Sequence, residues 1–233
     1  MSARGIFVTG TDTGVGKTVI ACALVRALRD EGARVAVMKP VASGAFQTQE
    51  GLRNADALAL IEAAGPGFSH AYSEVNPYCF EPAISPHIAA REAGIQVDTS
   101  MIRQQYDQLA VGADWVVVEG AGGWFAPINE HQTMADLAWA LSVPALLVVG
   151  LKLGCLNHAQ LSRLGVEAHG VALAGWVVSG IDQNMSRVEA NLETLERLLG
   201  EPPLAVVPHL PAGADAIVLT EVARQLAQRT ISF

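Results

Sequence analysis

The stretch Ile6-Phe7-Val8-Thr9-Gly10-Thr11-Asp12-Thr13-Gly14-Val15-Gly16-Lys17-Thr18 decides the fold. A short apolar strand runs into a glycine-rich loop that closes on Gly-Lys-Thr, and a helix-forming stretch, Val19 to Arg29, follows at once. Strand, loop and helix in that order are the context of a P-loop. Backbone N–H groups of Gly14, Val15, Gly16, Lys17, Thr18 and Val19, in the loop and at the helix N-terminus, are expected to wrap the phosphates of a nucleotide. Lys17 would neutralise the outer phosphates, and the Thr18 hydroxyl would hold Mg²⁺. One detail is irregular. The stretch between Gly10 and Gly16 is one residue longer than in the usual pattern, so Thr11 stands where the first glycine is expected. The plainer alternative is an ordinary glycine-rich strand-to-helix turn.

Working outward, the 233 residues fit a single domain spanning 1–233, long enough to bury a sizeable core. Hydrophobic residues make up 51% and charged residues only 16%, which argues against a disordered chain. A net charge of −8 without any Lys/Arg run speaks against nucleic-acid binding, because affinity for a phosphate backbone needs a basic footprint. No apolar stretch is long enough to span a bilayer, and the N-terminus lacks the layout of a signal peptide. Cys22, Cys79 and Cys155 are odd in number and far apart, which fits reduced thiols and a cytoplasmic protein, two of them in the core. The histidines show no metal-ligand spacing, so a transition-metal site is not expected.

Short apolar runs alternate with helical patterns. Strands are expected near Gly5–Thr9, Val35–Lys39, Trp115–Glu119, Ala145–Gly150, Ala172–Val178 and Leu204–Val207. Helices are expected over Lys17–Glu31, Asn54–Ala64, Met101–Leu109, Met134–Leu141, Asn157–Glu167, Met185–Leu199 and Asp215–Gln228. Runs such as Trp115-Val116-Val117-Val118 lack polar alternation, as strands covered on both faces do. The fold class is therefore α/β, a P-loop NTPase-like, mostly parallel sheet with helices on both faces. Gly65–Pro86, rich in Pro, Gly and aromatic residues, reads as a long excursion over the sheet edge. Ser85-Pro86 opens a further helix, Ser as N-cap and Pro at its first position, with His87 satisfied by nearby backbone or acting as a ligand.

Ligands of open parallel sheets sit at the carboxyl ends of the strands, which collects distant residues at one rim. Lys39 ends the second strand, ahead of Val41-Ala42-Ser43-Gly44, and Glu119 ends the third, ahead of Gly120-Ala121-Gly122-Gly123. The fourth runs into Lys152-Leu153-Gly154-Cys155-Leu156-Asn157. Glu119 stands where a Walker-B acid holds Mg²⁺, or else is a surface Glu ending a strand. Asp56 is either a metal ligand or an acid favoured by the helix dipole. Lys39 could hold an anionic substrate or a transferring phosphoryl group beside Lys17, or simply snorkel from a strand end.

These blocks resemble one family. Val8–Thr18 with its long loop, Lys39–Gly44, Gly51-Leu52-Arg53-Asn54-Ala55-Asp56-Ala57-Leu58, Asn76-Pro77-Tyr78, Ser85-Pro86-His87, Val118–Phe125 and Val148–His158 are similar, in the same order, to the dethiobiotin synthetases. The resemblance implies an ATP-dependent cyclo-ligase forming C–N bonds in biotin biosynthesis, with 7,8-diaminononanoate and CO₂ as the other substrates and Mg²⁺ as cofactor. It implies Mg²⁺ on Thr18, Asp56 and Glu119, and catalytic roles for Lys39 and Lys17. Thr13, Ser43, Gly154 and Asn157 would position the diamine, the last two from the partner subunit of a homodimer. Asp56 and Glu119-Gly120-Ala121-Gly122 would also face the nucleotide, and Ser179, Pro208, His209 and Leu210 would meet its base. Relatives commonly carry Asn where this chain has Ser179, and a hydroxyl cannot offer the paired donor and acceptor of an amide.

Two other readings compete. A partitioning-type ATPase usually carries a second lysine inside the loop, where this chain has Thr11, Asp12 and Thr13, and a cobyrinate-type amide ligase wants an amidotransferase domain for which the chain is too short. A nucleotide-dependent regulatory module predicts slow hydrolysis indifferent to diamine and CO₂.

Overall fold

The computed structural model describes residues 3–209. Strand β1 (Arg4–Gly10) leads through the P-loop into helix α1 (Lys17–Asp30), followed by β2 (Val35–Met38) and β3 (Val41–Ala42). A small hairpin of β4 (Phe46–Thr48) and β5 (Gly51–Arg53) precedes α2 (Ala55–Ala64), α3 (Tyr72–Val75), β6 (Tyr78–Cys79) and α4 (Pro86–Glu92). Then come α5 (Thr99–Leu109), β7 (Trp115–Glu119), α6 (Met134–Leu141), β8 (Ala145–Leu151), α7 (Cys155–Ala168), β9 (Leu173–Gly180), α8 (Val188–Leu199) and β10 (Ala205–Val207). The expected helix over Asp215–Gln228 and the expected base contact Leu210 lie outside the described residues.

Among the described residues six strands form one sheet in the order β10-β9-β8-β1-β7-β2, every neighbouring pair parallel. Alternation along the strands divides the core. Ile6 and Val8 of β1, with Val35, Val37 and Val117, pack under α1 and α2. Phe7, Ala36, Met38, Val116 and Val118 face α4, α5 and α6 on the other side. Leu147, Val149, Trp176 and Val178 continue that second face beneath α7 and α8. Fully burying one Leu- or Val-sized side chain contributes about 1.5–3 kcal/mol, and double-sided burial explains why these strands read as unbroken apolar runs.

All six strands end at the same rim, and local chemistry holds the connections there. Asn54 caps α2, its side-chain oxygen accepting from Asp56 N at 3.0 Å and Ala57 N at 3.3 Å. Tyr72, in the Gly65–Pro86 excursion, accepts from Asn54 N at 2.7 Å and donates to Asn76 at 2.9 Å. Asn76 in turn donates to the Lys39 carbonyl at 2.7 Å. This chain of bonds ties the end of β2 to the start of α2, so Lys39 and Asp56 come together. The excursion is less irregular than expected, since β6 lies parallel to β3. Ser85 does occupy the N-cap of α4, but its hydroxyl makes no capping bond. It meets His87 Nδ1 at 2.8 Å, so His87 is satisfied by a side chain and not by backbone.

Candidate active site

At the centre of the rim the P-loop passes from β1 into α1. Gly16, with φ of 86°, sits in the left-handed region just before Lys17, and a Cβ there would lie 2.7 Å from Ser179 Oγ. Only glycine meets both conditions without strain. Lys17 curls back so that Nζ donates to the Asp12 carbonyl at 2.8 Å. Burial, reinforced by the like charge of Lys39, pulls the Lys17 pKa down to about 8.

Beside it lies a cluster of charges removed from water. Lys39 Nζ is 2.8 Å from Asp56 Oδ2 and 2.8 Å from Glu119 Oε1, with the Gly120 carbonyl at 3.3 Å. The Thr18 hydroxyl donates to the same Glu119 Oε1 at 2.7 Å. Burial alone would lower the Lys39 pKa, yet Glu119 and Asp56 outweigh it and raise it above the ordinary lysine value. Asp56 shows the converse: burial pushes upward, and Lys39 with the Thr18 hydroxyl brings its carboxyl below the usual range. Glu119 Oε2 is buried with no hydrogen-bond partner among the described residues. An orphaned carboxylate oxygen is costly unless something fills its coordination. Together with Thr18 Oγ1 and Asp56 it offers the hard oxygen donors that Mg²⁺ takes alongside nucleotide phosphates.

The remaining expected residues fall around this cluster. Ser43 presents its carbonyl to Asn54 Nδ2 at 3.2 Å, between β3 and the hairpin. Thr13 is exposed on the P-loop, and its N–H donates to Asp12 Oδ1 at 2.8 Å. A Cβ on Gly122 would lie 3.7 Å from Thr13 Oγ1, which places the Gly120–Gly122 turn against the loop. Gly154 forms the left-handed N-cap of α7, and Asn157 is exposed on its first turn. Ser179 is buried at the end of β9, its hydroxyl turned to Gly16. Exposed Pro208 and His209 follow β10, and His209 Nδ1 lies 3.2 Å from the Gly180 carbonyl. Sequence reasoning missed Tyr72, the bond from Asn76 to the Lys39 carbonyl and the Asp12–Lys152 pair as parts of this architecture. The aromatic content of the excursion hinted at the first, and the Asn76-Pro77-Tyr78 block at the second.

The parallel sheet, the glycine-rich loop opening α1 and the acid ending β7 define a P-loop NTPase-type protein. Solved structures with this fold include the MinC:MinD cell division protein complex of Aquifex aeolicus, with a TM-score of 0.65 at 18% identity, covering 99% of this chain and 97% of that one. The septum site-determining protein MinD of Pyrococcus horikoshii, complexed with Mg-ADP, matches with a TM-score of 0.60 at 16% identity, covering 97% and 95%. A family profile described as "AAA domain" matches residues 4–215. The chain is 48% identical to the ATP-dependent dethiobiotin synthetase BioD of Pseudomonas paraeruginosa, over 91% of this chain and 92% of that protein. It is 46% identical to the protein of the same name from Xylella fastidiosa, over 94% and 96%. The chain belongs to the ATP-dependent dethiobiotin synthetase family.

Proposed function

We propose that this chain, acting as one domain over residues 1–233, closes the ureido ring of dethiobiotin from 7,8-diaminononanoate, CO₂ and ATP. One amine takes up CO₂ as a carbamate. A carbamate oxygen attacks the γ-phosphorus of ATP, ADP leaves, and the second amine displaces phosphate from the mixed anhydride to close the ring. The observation that carries this reading is Lys39 Nζ, held 2.8 Å from both Asp56 and Glu119 beside the P-loop lysine. Two cations then flank the position of phosphoryl transfer, one on the nucleotide and one toward the anionic carbamate. Chemistry of this kind depends on positioning and charge stabilisation and needs no enzyme nucleophile. Backbone N–H groups from Gly14 to Val19 would cradle the phosphates, joined by the Gly120–Gly122 turn, while Ser179, Pro208 and His209 would border the base. Thr18, Asp56 and Glu119 would hold Mg²⁺, which would draw charge from the phosphate oxygens, and the unfilled Glu119 Oε2 suits that role.

Thr13 and Ser43 would hold the diamine end near Lys39, and Gly154 and Asn157 of a partner subunit would receive the rest. In support of a homodimer, Leu153 is 94% exposed, and Leu161, Leu164 and Phe125 also present apolar surface. Phe125 packs beside α7, close to the backbone of Gly165, one position after Leu164. The substrates are small soluble metabolites, and the reading assigns the reaction to the cytoplasm. Among the described residues no helix is long and apolar enough to cross a membrane.

Phosphate release measured with ATP, bicarbonate and 7,8-diaminononanoate together, and with each omitted, tests the proposal. Release should require all three, and dethiobiotin should form in equal amount. Release indifferent to the diamine would sink it and favour a nucleotide-dependent regulatory module.

A further inference from the structure

Three successive bonds stitch β8 to the P-loop. Thr11 N donates to the Val148 carbonyl at 3.0 Å, and Gly150 N donates to Thr11 Oγ1 at 3.3 Å. Two residues further on, Lys152 Nζ meets Asp12 Oδ2 at 2.9 Å. Alternate residues along β8 and just past its end thus reach the loop, first through backbone, then through a loop hydroxyl, and last through an ion pair.

The ion pair has a second consequence. The other Asp12 oxygen accepts from Thr13 N at 2.8 Å, so the carboxylate is held from both sides. The Lys152 bond, then the Thr13 N–H, keep the Asp12 carboxyl below its usual range, with Lys152 and His158 adding favourable charge. With its carboxylate fixed, the Asp12 residue has little freedom to turn. Its carbonyl is the group that accepts from Lys17 Nζ at 2.8 Å. Lys152 therefore reaches the P-loop lysine through one intermediate residue, although it lies outside the loop motif altogether.

We propose that Lys152 is a positioning residue of the nucleotide site: it clamps Asp12, and the Asp12 carbonyl presets Lys17 for the incoming phosphates. The proposal rests on the nucleotide-binding reading of the loop and is independent of which substrate is phosphorylated. A half-exposed ion pair adds little to global stability, so its loss leaves the fold in place. Its value lies in pre-organisation, since a loop already shaped for an anion loses less freedom on binding.

Calorimetric titration with adenylyl imidodiphosphate and Mg²⁺ tests this. Lys152→Met and Asp12→Asn should each weaken binding about fivefold, within the range of one partly exposed charge pair. The double variant should be no worse than either single one, and Lys152→Arg should recover wild-type affinity to within about twofold. In turnover, KM for ATP should rise while kcat stays within about twofold. Normal affinity in Asp12→Asn beside a loss in Lys152→Met would overturn the proposal, because Lys152 would then touch the phosphates itself. Effects that multiply in the double variant, or failure of the Arg replacement, would overturn it as well. Should Lys152→Met fail to fold, Lys152→Gln with Asp12→Asn supplies the same cycle. Weakened nucleotide binding in the variants, beside a wild-type protein without diamine-dependent turnover, would reject the dethiobiotin reading alone.

Discussion

Lys39 Nζ and Glu119 Oε1 lie 2.8 Å apart, with side chains only 4% and 1% exposed. Two opposite charges buried to that degree depend on one another. Each would be expensive alone, and Asp56 and Thr18 complete the set of partners around the pair.

On the proposed mechanism Lys39→Ala should abolish ring closure, with turnover falling at least about a hundredfold, because it removes the cation assigned to the transferring group. In metal-free buffer the variant also loses the partner of a buried carboxylate, a cost of about 3–5 kcal/mol. Mg²⁺ could replace part of that charge. Calorimetric melting in chelator and in excess Mg²⁺ should therefore show a deficit that shrinks when the metal is present. An equal deficit in both buffers would separate Lys39 from the metal site.

Nucleotide affinity should depend on pH through Lys17, whose pKa burial and Lys39 lower to about 8. Phosphates prefer the protonated amine, so free protein above that pH must take up a proton on binding. Affinity should be flat below about pH 8 and fall above it by up to about tenfold per pH unit. The same shift works on stability with a definite sign. The folded state gives up this proton before the unfolded chain does, so the burial penalty is complete below pH 8 and is relieved between pH 8 and 10.5. Titrations across pH 6.5–9.5, corrected for ionisation of the nucleotide, provide the check, and a flat profile would remove Lys17 from the phosphate contact.

Glutamate in place of Leu161 and Leu164 should split the proposed homodimer if the α7 face forms its interface. Burying several large apolar side chains is worth several kcal/mol, and a charge on each subunit would meet its copy across a two-fold axis. Analytical ultracentrifugation should show dimers for the wild type and monomers for the double variant. An unchanged sedimentation profile would move the interface elsewhere.

Strands β7 and α6's helical run were legible to the residue, since Trp115–Glu119 and Met134–Leu141 are apolar segments with sharp polar edges. α7 begins at Cys155, ahead of the expected Asn157, because its N-cap is a left-handed glycine and no capping side chain marks the start. α8 starts at Val188, later than Met185, after Arg187 adopts φ of 57°. The β4–β5 hairpin escaped detection: Phe46 and Gln47 are exposed, so no alternation of buried and exposed positions announces it. At the site, strand ends foretold that Lys39 and Glu119 would share a rim. The Asp12–Lys152 pair spans 140 positions, and pattern along the chain carries no information about which of two surface charges will meet.

The order of the sheet also lays out a ruler. From the end of β2, where Lys39 stands, to the end of β10, beside His209, the rim crosses five strand spacings, about 24 Å at the usual separation. On the proposed reading that length is graduated: carbamate at β2, metal acid at β7, phosphates at β1, base at β9 and β10. Each portion of the reactants answers to a different strand. Selection for another nucleotide base could then act on Ser179, Pro208 and His209 at one end and leave the bond-making end untouched. A parallel sheet, in this sense, separates what the enzyme recognises from what it does.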